Sequence, residues 1–124
     1  MTKIPMPGTP VRGSKSGAPI MALFDLLGRH WAMGVLWTLS EIGPSTFRRL
    51  QQECETISPA ALNTRLKELQ AAGFVHRVES GYAATDLGLQ LYRQLLPLGS
   101  FSKQWAEHLS NEGTPISGPT KPEA

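Results

Sequence analysis

One stretch, residues 57–77, constrains the fold of this chain more than any other part of its sequence. Ser58 and Pro59 suit the cap and the first turn of a helix, because serine accepts a backbone hydrogen bond there and proline lacks an N–H that would be left unpaired. This helix ends at Gly73, and two short β-type runs follow at residues 74–78 and 82–85. A capped helix followed at once by a tight hairpin is typical of the second half of a winged helix-turn-helix.

Helical periodicity predicts further helices on both sides of this stretch. Three precede it, at residues 20–27, 30–42 and 46–53, with Ser45 as the cap of the third. After the hairpin, Thr85 caps a fifth helix that ends before Pro97, and a last helical piece follows Gly99. We therefore predict a fold that is mainly α with a small β-hairpin. It is a winged helix-turn-helix domain with dimerisation helices at its N- and C-terminal ends.

Composition divides the chain into three parts. Both ends are rich in proline, glycine and serine or threonine and carry no apolar period, so neither can bury enough surface to fold by itself. We expect a mobile N-terminal arm at residues 1–18, a DNA-binding and dimerisation domain at 19–110, and a disordered tail at 111–124.

Charge and cysteine content narrow the class of partner and the compartment. Residues 1–77 hold nine Lys/Arg against five Asp/Glu, a net of +4, whereas residues 78–124 hold three against five, a net of −2. An anionic partner should therefore meet the first part of the chain. A single cysteine fits a reducing compartment, and the most apolar stretch is interrupted by Asp25, Arg29 and His30. We expect a cytoplasmic protein that spans no membrane.

The helix that begins after Ser58 carries the predicted DNA-reading surface. Leu62, Leu66 and Leu69 share one narrow arc that must face the core. The opposite arc presents small and hydrogen-bonding side chains of the kind that read base edges in a major groove. Together with the N-terminus of the helix, the predicted DNA contacts are Ser58, Pro59, Ala60, Asn63, Thr64 and Lys67.

Cationic side chains flank this arc on both sides. Arg48 and Arg49 lie on the preceding helix, and His76 and Arg77 lie on the hairpin, where they would position the chain on phosphates without reading sequence. A solvated helix face would show the same polar arc, and the flanking charge is what favours DNA contact. For Arg65, at the edge of the apolar arc, two partners stay open: a phosphate or a carboxylate inside the domain.

Several segments resemble the HxlR-type regulators, which are relatives of the MarR group. They are Gly28-Arg-His-Trp31, Gly43-Pro44-Ser-Thr-Phe47-Arg-Arg-Leu50, the run 57–77, and Tyr82-Ala-Ala-Thr85-Asp-Leu-Gly88, where Ala84 replaces the family's leucine. The resemblance covers about residues 19–109 and includes a late tryptophan, Trp105. It implies a homodimeric repressor or activator with the helix from Ser58 in the major groove and the hairpin as the wing.

The chain departs from that family in two places. Many members carry a Cys-Pro pair ahead of the first helix, which serves some of them as a redox sensor. This chain has Thr9-Pro10-Val11 there, so thiol sensing at that place is not available. The wing is also shorter, since only about residues 79–81 separate the strands, and we expect it to touch phosphate rather than the minor groove.

Apolar side chains on opposite sides of the fifth helix predict a dimer. Leu87, Leu91 and Leu95 can pack on their own domain, so the other side needs a second partner. The predicted interface residues are Leu23, Phe24, Leu89, Tyr92, Leu96, Phe101, Trp105 and Leu109. A two-fold dimer would place two recognition helices one DNA turn apart, roughly 34 Å.

Two further tryptophans carry separate expectations. Trp31 should be a core anchor. For Trp37 we favour packing in the core or the dimer interface over a small-molecule pocket, because a large aromatic side chain most often simply buries area.

The sequence contains no phosphate loop, nucleophile elbow or paired-carboxylate motif, and we predict no catalysis and no cofactor. His30, His76 and His108 are far apart in sequence, which gives no metal-ligand spacing. Cys54 lies between two glutamates, which should raise the pKa of its thiol, so a structural role is favoured over redox sensing.

These observations predict a sequence-specific transcriptional regulator that binds double-stranded DNA as a homodimer on an inverted repeat. Repression is the expected sign, and release from DNA by a small-molecule effector is an elaboration of the same function. The alternative is a winged-helix module that binds proteins instead. Steep salt dependence of DNA binding would separate the two, because neutralising phosphates releases counterions.

Overall fold

The computed structural model describes residues 2–111 of the chain. Within them lie five helices and one two-stranded antiparallel sheet: α1 (Pro19–Leu27), α2 (Ala32–Ile42), α3 (Phe47–Glu53), α4 (Pro59–Ala71), β1 (Val75–Val78), β2 (Gly81–Ala84) and α5 (Asp86–Asn111). The predicted fold class is confirmed. Apart from its first residue, the predicted tail at 111–124 lies outside the described residues.

The chain divides into two compact parts, with the boundary after Tyr92. The first part contains α1 to β2 and the first turns of α5, and its core is made mainly by leucines. α2 contacts α1, α3, α4 and β2, so it is the central helix of this part. The largest side chains under 2% exposed are Val35, Leu36, Leu39, Leu50, Leu62, Leu66 and Leu69. In the second part, the described residues 93–111 continue α5.

Two helix starts differ from the prediction. α2 begins at Ala32 rather than at residue 30, because Trp31 has a φ of 77°, a left-handed conformation that a helix cannot include. Trp31 is half-buried there and is not a core anchor. α3 is capped by Thr46, whose hydroxyl accepts the Arg49 N–H at 3.1 Å. The predicted cap, Ser45, instead pairs with the hairpin.

α5 continues through Pro97, so the prediction of a separate last helix is wrong. Proline removes one backbone N–H from a helix and crowds the carbonyl four residues earlier, which can kink a helix without ending it. Both flanks here carry helical apolar spacing, and α5 includes the residues on both sides of Pro97.

Residues 2–18 form turns that fold back on α1. The Gly8 N–H donates to the Gly17 carbonyl oxygen at 2.8 Å, and Val11 and Ser14 exchange two backbone hydrogen bonds. The Arg12 N–H donates to the Asp25 carboxylate at 3.1 Å. The segment therefore has a defined path along the first part of the molecule, and its mobility stays a prediction.

Candidate nucleic-acid interface

α4 begins where the sequence predicts, because Ser58 caps it. The Ser58 hydroxyl accepts the Ala61 N–H at 3.1 Å, and Pro59 occupies the first turn. The predicted inner arc is buried, each side chain at most 1% exposed: Leu62, Leu66 and Leu69. This packing fixes the rotation of α4 about its axis, so the opposite side of the helix faces outward.

The outer side of α4 carries the predicted base-reading side chains. Ala60, Asn63, Thr64 and Lys67 are all exposed, and so are the two residues at the helix start. Within residues 2–111, the Asn63 amide and the Thr64 hydroxyl form no hydrogen bond, so both can bind a ligand. Their contact with DNA itself stays a prediction.

Cationic side chains flank this surface from α3 and from the hairpin. Arg48, Arg49, His76 and Arg77 are all exposed. The Arg77 guanidinium lies over the Tyr82 ring, 4.8 Å from its centroid, and this cation–π contact restricts where the charge can go. The ion pairs found among residues 2–111 leave out all four of these side chains, so the three guanidinium charges are available to phosphates.

A cleft of about 920 Å³ opens between α4, the hairpin and the N-terminal segment. Asn63 and Lys67 line it from α4, and Arg77 and Tyr82 line it from the hairpin. The third wall is formed by Thr2, Ile4 and Met6. This wall could not be predicted from the sequence, because apolar residues set between prolines show no periodicity that indicates packing against the rest of the domain.

The hairpin is anchored to the start of α3. Its strands pair from Val75 with Ala84 to Val78 with Gly81, which leaves a two-residue turn and confirms the short wing. On the outer side of β2, Ser45 and Tyr82 exchange two backbone hydrogen bonds of 3.0 and 2.9 Å. This bridge explains why Ser45 is buried and does not cap α3.

A buried carboxylate ties α4 to the loop between α1 and α2. Glu68 is 7% exposed, accepts a hydrogen bond from Arg29 Nη1 at 2.6 Å, and pairs with Arg65 within α4. Arg65 Nε also donates to the His30 carbonyl oxygen at 2.7 Å. Arg65 is therefore held inside the domain, the second of the two alternatives for its partner.

Cys54 lies at the end of α3 and is half-buried. Burial raises the pKa of its thiol, a hydrogen bond with Thr38 lowers it, and the charge of Glu53 raises it. The predicted direction is confirmed, but its leading cause is burial rather than the neighbouring carboxylates. A thiol with a raised pKa stays protonated near neutral pH and is a weak nucleophile.

The side chains predicted to form the dimer interface differ in exposure. Phe24 is 57% exposed on α1, and α5 exposes Leu96, Phe101 and Trp105 at 42–58%. Leu23, Leu89 and Leu109 are half-buried. Their contact with a second copy of the chain stays a prediction.

Tyr92 has partners within the chain. Its ring packs edge-on against Trp37 at 5.3 Å, and its hydroxyl donates to Glu41 Oε2 at 3.3 Å. Leu87, on the side of α5 expected to pack inward, is 50% exposed. The two sides of this helix are therefore less distinct than the sequence predicts, because its first turns contact the domain with residues from both.

Metal-binding clusters and membrane-spanning helices are both absent from residues 2–111. No cluster of three or more His, Cys, Asp or Glu side chains there could hold a metal ion. No helix in this range combines the length and the apolar character that crossing a bilayer requires.

Comparison with known proteins agrees with this geometry. Residues 26–110 match the family model described as HxlR-like helix-turn-helix. The uncharacterized HTH-type transcriptional regulator YybR of Bacillus subtilis is 30% identical over 101 residues, which cover 76% of this chain and 77% of the relative.

Solved structures of related proteins share the fold. A possible HxlR family transcriptional factor from Thermoplasma volcanium has a TM-score of 0.64 and 25% identity, covering 72% of this chain and 85% of its own. Quinone-bound YodB from B. subtilis has a TM-score of 0.64 and 28% identity, covering 69% of this chain and 97% of its own. The named relatives are transcriptional regulators rather than enzymes. This chain, with its helix-turn-helix DNA-binding domain, therefore belongs to the HxlR-like family of transcriptional regulators.

Proposed function

We propose that this protein acts in the cytoplasm as a homodimeric, sequence-specific repressor that binds an inverted-repeat operator. The observation that carries the proposal is the exposed outer side of α4, where Asn63 and Thr64 have no partner within residues 2–111 and cationic side chains stand on both flanks. A dimer that covers its operator excludes other proteins from the same duplex. Repression is the direct consequence of that exclusion.

The outer side of α4 has the chemistry that base reading requires. The amide of Asn63 both donates and accepts, which matches the adenine edge in the major groove, and Thr64 offers a hydroxyl and a methyl group. Ala60 lets the backbone approach the bases. At the start of α4, Pro59 has no N–H and the Ala61 N–H is bonded to the Ser58 hydroxyl, so the Ala60 N–H is the one available to a phosphate.

The flanking cations supply affinity rather than sequence preference. Arg48 and Arg49 on α3, and His76 and Arg77 on β1, are exposed on the elements before and after α4, so we expect them to meet the sugar-phosphate strands that border the groove. Each phosphate that they neutralise releases counterions, so binding weakens as salt rises. Lys67, on α4 itself, belongs to the same group.

Asn63→Ala should lower the discrimination between the preferred duplex and one with a changed base by about tenfold or more, because a bidentate base contact is lost. The preferred duplex is obtained by selection from random DNA with the purified protein at near-physiological salt. Affinities of both duplexes are then compared for the unaltered chain and the variant. Gln94→Ala, an exposed amide on α5, is the matched control. An unchanged preference in Asn63→Ala would remove α4 from base reading.

Arg48→Ala in the same assay should weaken binding to all duplexes alike and reduce the slope of log affinity against log salt by about 0.9. Arg93→Ala, an exposed arginine on α5, controls for the loss of one charge. If the unaltered chain shows no steep salt dependence with any duplex, the winged helix is instead a protein-binding module.

The dimer is supported by apolar side chains that are exposed on α5. Leu96, Leu98, Phe101 and Trp105 are 42–58% exposed within about three turns of one helix. Leu98, Phe101 and Trp105, at intervals of three and four residues, share one face of α5, and an exposed apolar face of this kind marks an interaction surface. A second copy of the chain is the partner that an inverted-repeat operator requires.

Trp105→Ser should raise the dimer dissociation constant by about 100-fold, since a two-fold interface loses the buried tryptophan twice. Light scattering at micromolar concentration should show a dimer for the unaltered chain and a monomer for the variant. Lys103→Ser, on the same helix, should leave the dimer intact. A monomeric unaltered chain would contradict the proposal.

We further propose a small-molecule effector with Trp37 as one of its contacts. Quinone-bound YodB shows that a relative takes up a small organic molecule. Trp37 is half-buried and forms a T-shaped ring contact with Tyr92, so an effector would contact the part of the Trp37 ring that stays exposed.

A further inference from the structure

We infer that residues 2–6 form a third DNA-contacting element, which lies against the phosphate backbone beside α4 and adds Lys3 to the phosphate contacts. The inference rests on the proposed function, since it concerns the same duplex. It assigns a role to a segment that neither the helix-turn-helix nor the family match at residues 26–110 includes.

Residues 2–6 lie beside the proposed DNA surface. Thr2, Ile4 and Met6 line the cleft of about 920 Å³ whose other walls include Asn63 and Arg77. Those two residues also belong to the proposed DNA surface. The cleft is therefore continuous with that surface, and a duplex seated on α4 would pass the N-terminal segment at close range.

The cleft that these residues line is positively charged. Lys67 and Arg77 line it, and none of its lining residues is acidic. Lys3 is exposed and lies between Thr2 and Ile4, which both reach the cleft. A cationic cleft of this kind complements a polyanionic strand, and contacts to that strand add affinity without base preference.

The segment borders α1 and is followed by a closed turn. Behind the cleft, residues 4–7 line an apolar pocket of about 280 Å³ together with Leu23 and Leu26 of α1 and with Phe74. Farther along, the Gly8–Gly17 hydrogen bond closes the turn. Gly17 has a φ of +75°, and a Cβ there would overlap the Thr9 backbone, so the turn depends on glycine. Residues 4–7 thus border the domain and the turn behind them is closed, which lowers the ordering entropy that opposes contact of Lys3 with DNA.

Lys3→Ala in the full chain should reduce the salt slope of binding to the selected duplex by about 0.9 and weaken binding about fivefold, with base preference unchanged. Binding is followed by fluorescence anisotropy at a series of salt concentrations. The matched control is Lys15→Ala, which removes the same charge from the same segment. Lys15 lines a separate depression with Pro10 and Val11, so this control should bind as the unaltered chain does.

A second variant, with residues 2–6 deleted, tests the geometry. Hydroxyl-radical footprinting should show protection lost at one edge of each half-site, while circular dichroism confirms that the helices remain. Equal salt slopes for Lys3→Ala and Lys15→Ala would overturn the inference. Tighter binding by the shortened chain would also overturn it, because the segment would then compete with DNA. In both cases the unaltered chain still binds, whereas a chain that binds no duplex defeats the proposed function as well.

Discussion

Glu68→Gln is expected to lower the free energy of unfolding by about 3 kcal/mol, because it removes one partner from a buried ionic cluster. The Glu68 side chain is 9% exposed and pairs with Arg29 and Arg65, whose side chains are 29% and 20% exposed. Glutamine keeps the volume but not the charge. Two guanidinium groups would then stay partly buried without an anion, and that desolvation is the source of the loss.

The position of this cluster explains why its loss should also reach the DNA surface. Arg29 and the His30 carbonyl belong to the loop before α2, and Glu68 and Arg65 belong to α4. Trp31 in the same loop has a left-handed φ, a conformation that persists only when its surroundings impose it. The cluster fixes this loop against α4 and so helps to hold the helix that presents Asn63.

Urea unfolding of the unaltered chain, Glu68→Gln and Glu79→Gln gives the comparison. Glu79 is exposed in the hairpin turn, so its substitution should change the free energy of unfolding by less than about 0.5 kcal/mol. If Glu68→Gln unfolds with the same midpoint and slope as the unaltered chain, the ionic cluster contributes no net stability.

α4 could be predicted from sequence because every local signal agrees. Ser58 caps it, Pro59 suits its first turn, and leucines at intervals of three and four residues fix its buried side. Once that side is known, the exposed side follows from helix geometry alone. The prediction of Asn63 and Thr64 as exposed residues needed no knowledge of the rest of the fold.

The ionic cluster could not be predicted in the same way. Arg29 and Glu68 are 39 residues apart, and a glutamate within a helix usually faces solvent. Only the packing of α4 against the loop before α2 brings them together. The sequence placed Arg65 at the edge of the apolar arc, which was enough to raise a carboxylate partner as an alternative but not to identify it.

The path of the N-terminal segment could not be predicted from sequence either. Its prolines and glycines are typical of a mobile arm, but they also favour turns. The segment runs along α1, which follows it directly in the chain, and it shares a pocket with Phe74, which lies far away in sequence. Local composition therefore identified the segment as non-helical and could not show that it lies beside α4.

Gly81→Ala is expected to lower the free energy of unfolding by about 3 kcal/mol, because the glycine satisfies two requirements at once. Its φ is +138°, which residues with a side chain rarely adopt. A Cβ at this position would overlap the Ser45 carbonyl oxygen and lie 2.8 Å from Thr46 Cα. Both neighbours are backbone at the start of α3, so a side-chain rotation cannot relieve the contact.

The same substitution should lower DNA affinity, to which the hairpin contributes, without changing the base preference, which belongs to α4. Relief of the contact requires breaking the Ser45–Tyr82 bridge, which displaces the strands that carry Arg77. The folded fraction of Gly81→Ala should then bind all duplexes more weakly and keep its base preference, which belongs to α4. Urea unfolding followed by affinity measurements on the selected and altered duplexes tests both effects.

Gly34→Ala is the control, because α2 is helical there and a Cβ would meet no atom within 4 Å. Alanine at this position should stabilise the chain by up to about 1 kcal/mol, since glycine is the weaker helix former. Opposite signs for the two substitutions would show that the hairpin contact, rather than the loss of a glycine, determines the effect. If Gly81→Ala is as stable as the unaltered chain, the Ser45–Tyr82 bridge is not what holds the wing. Weaker DNA binding by this variant would then need a cause other than displacement of Arg77.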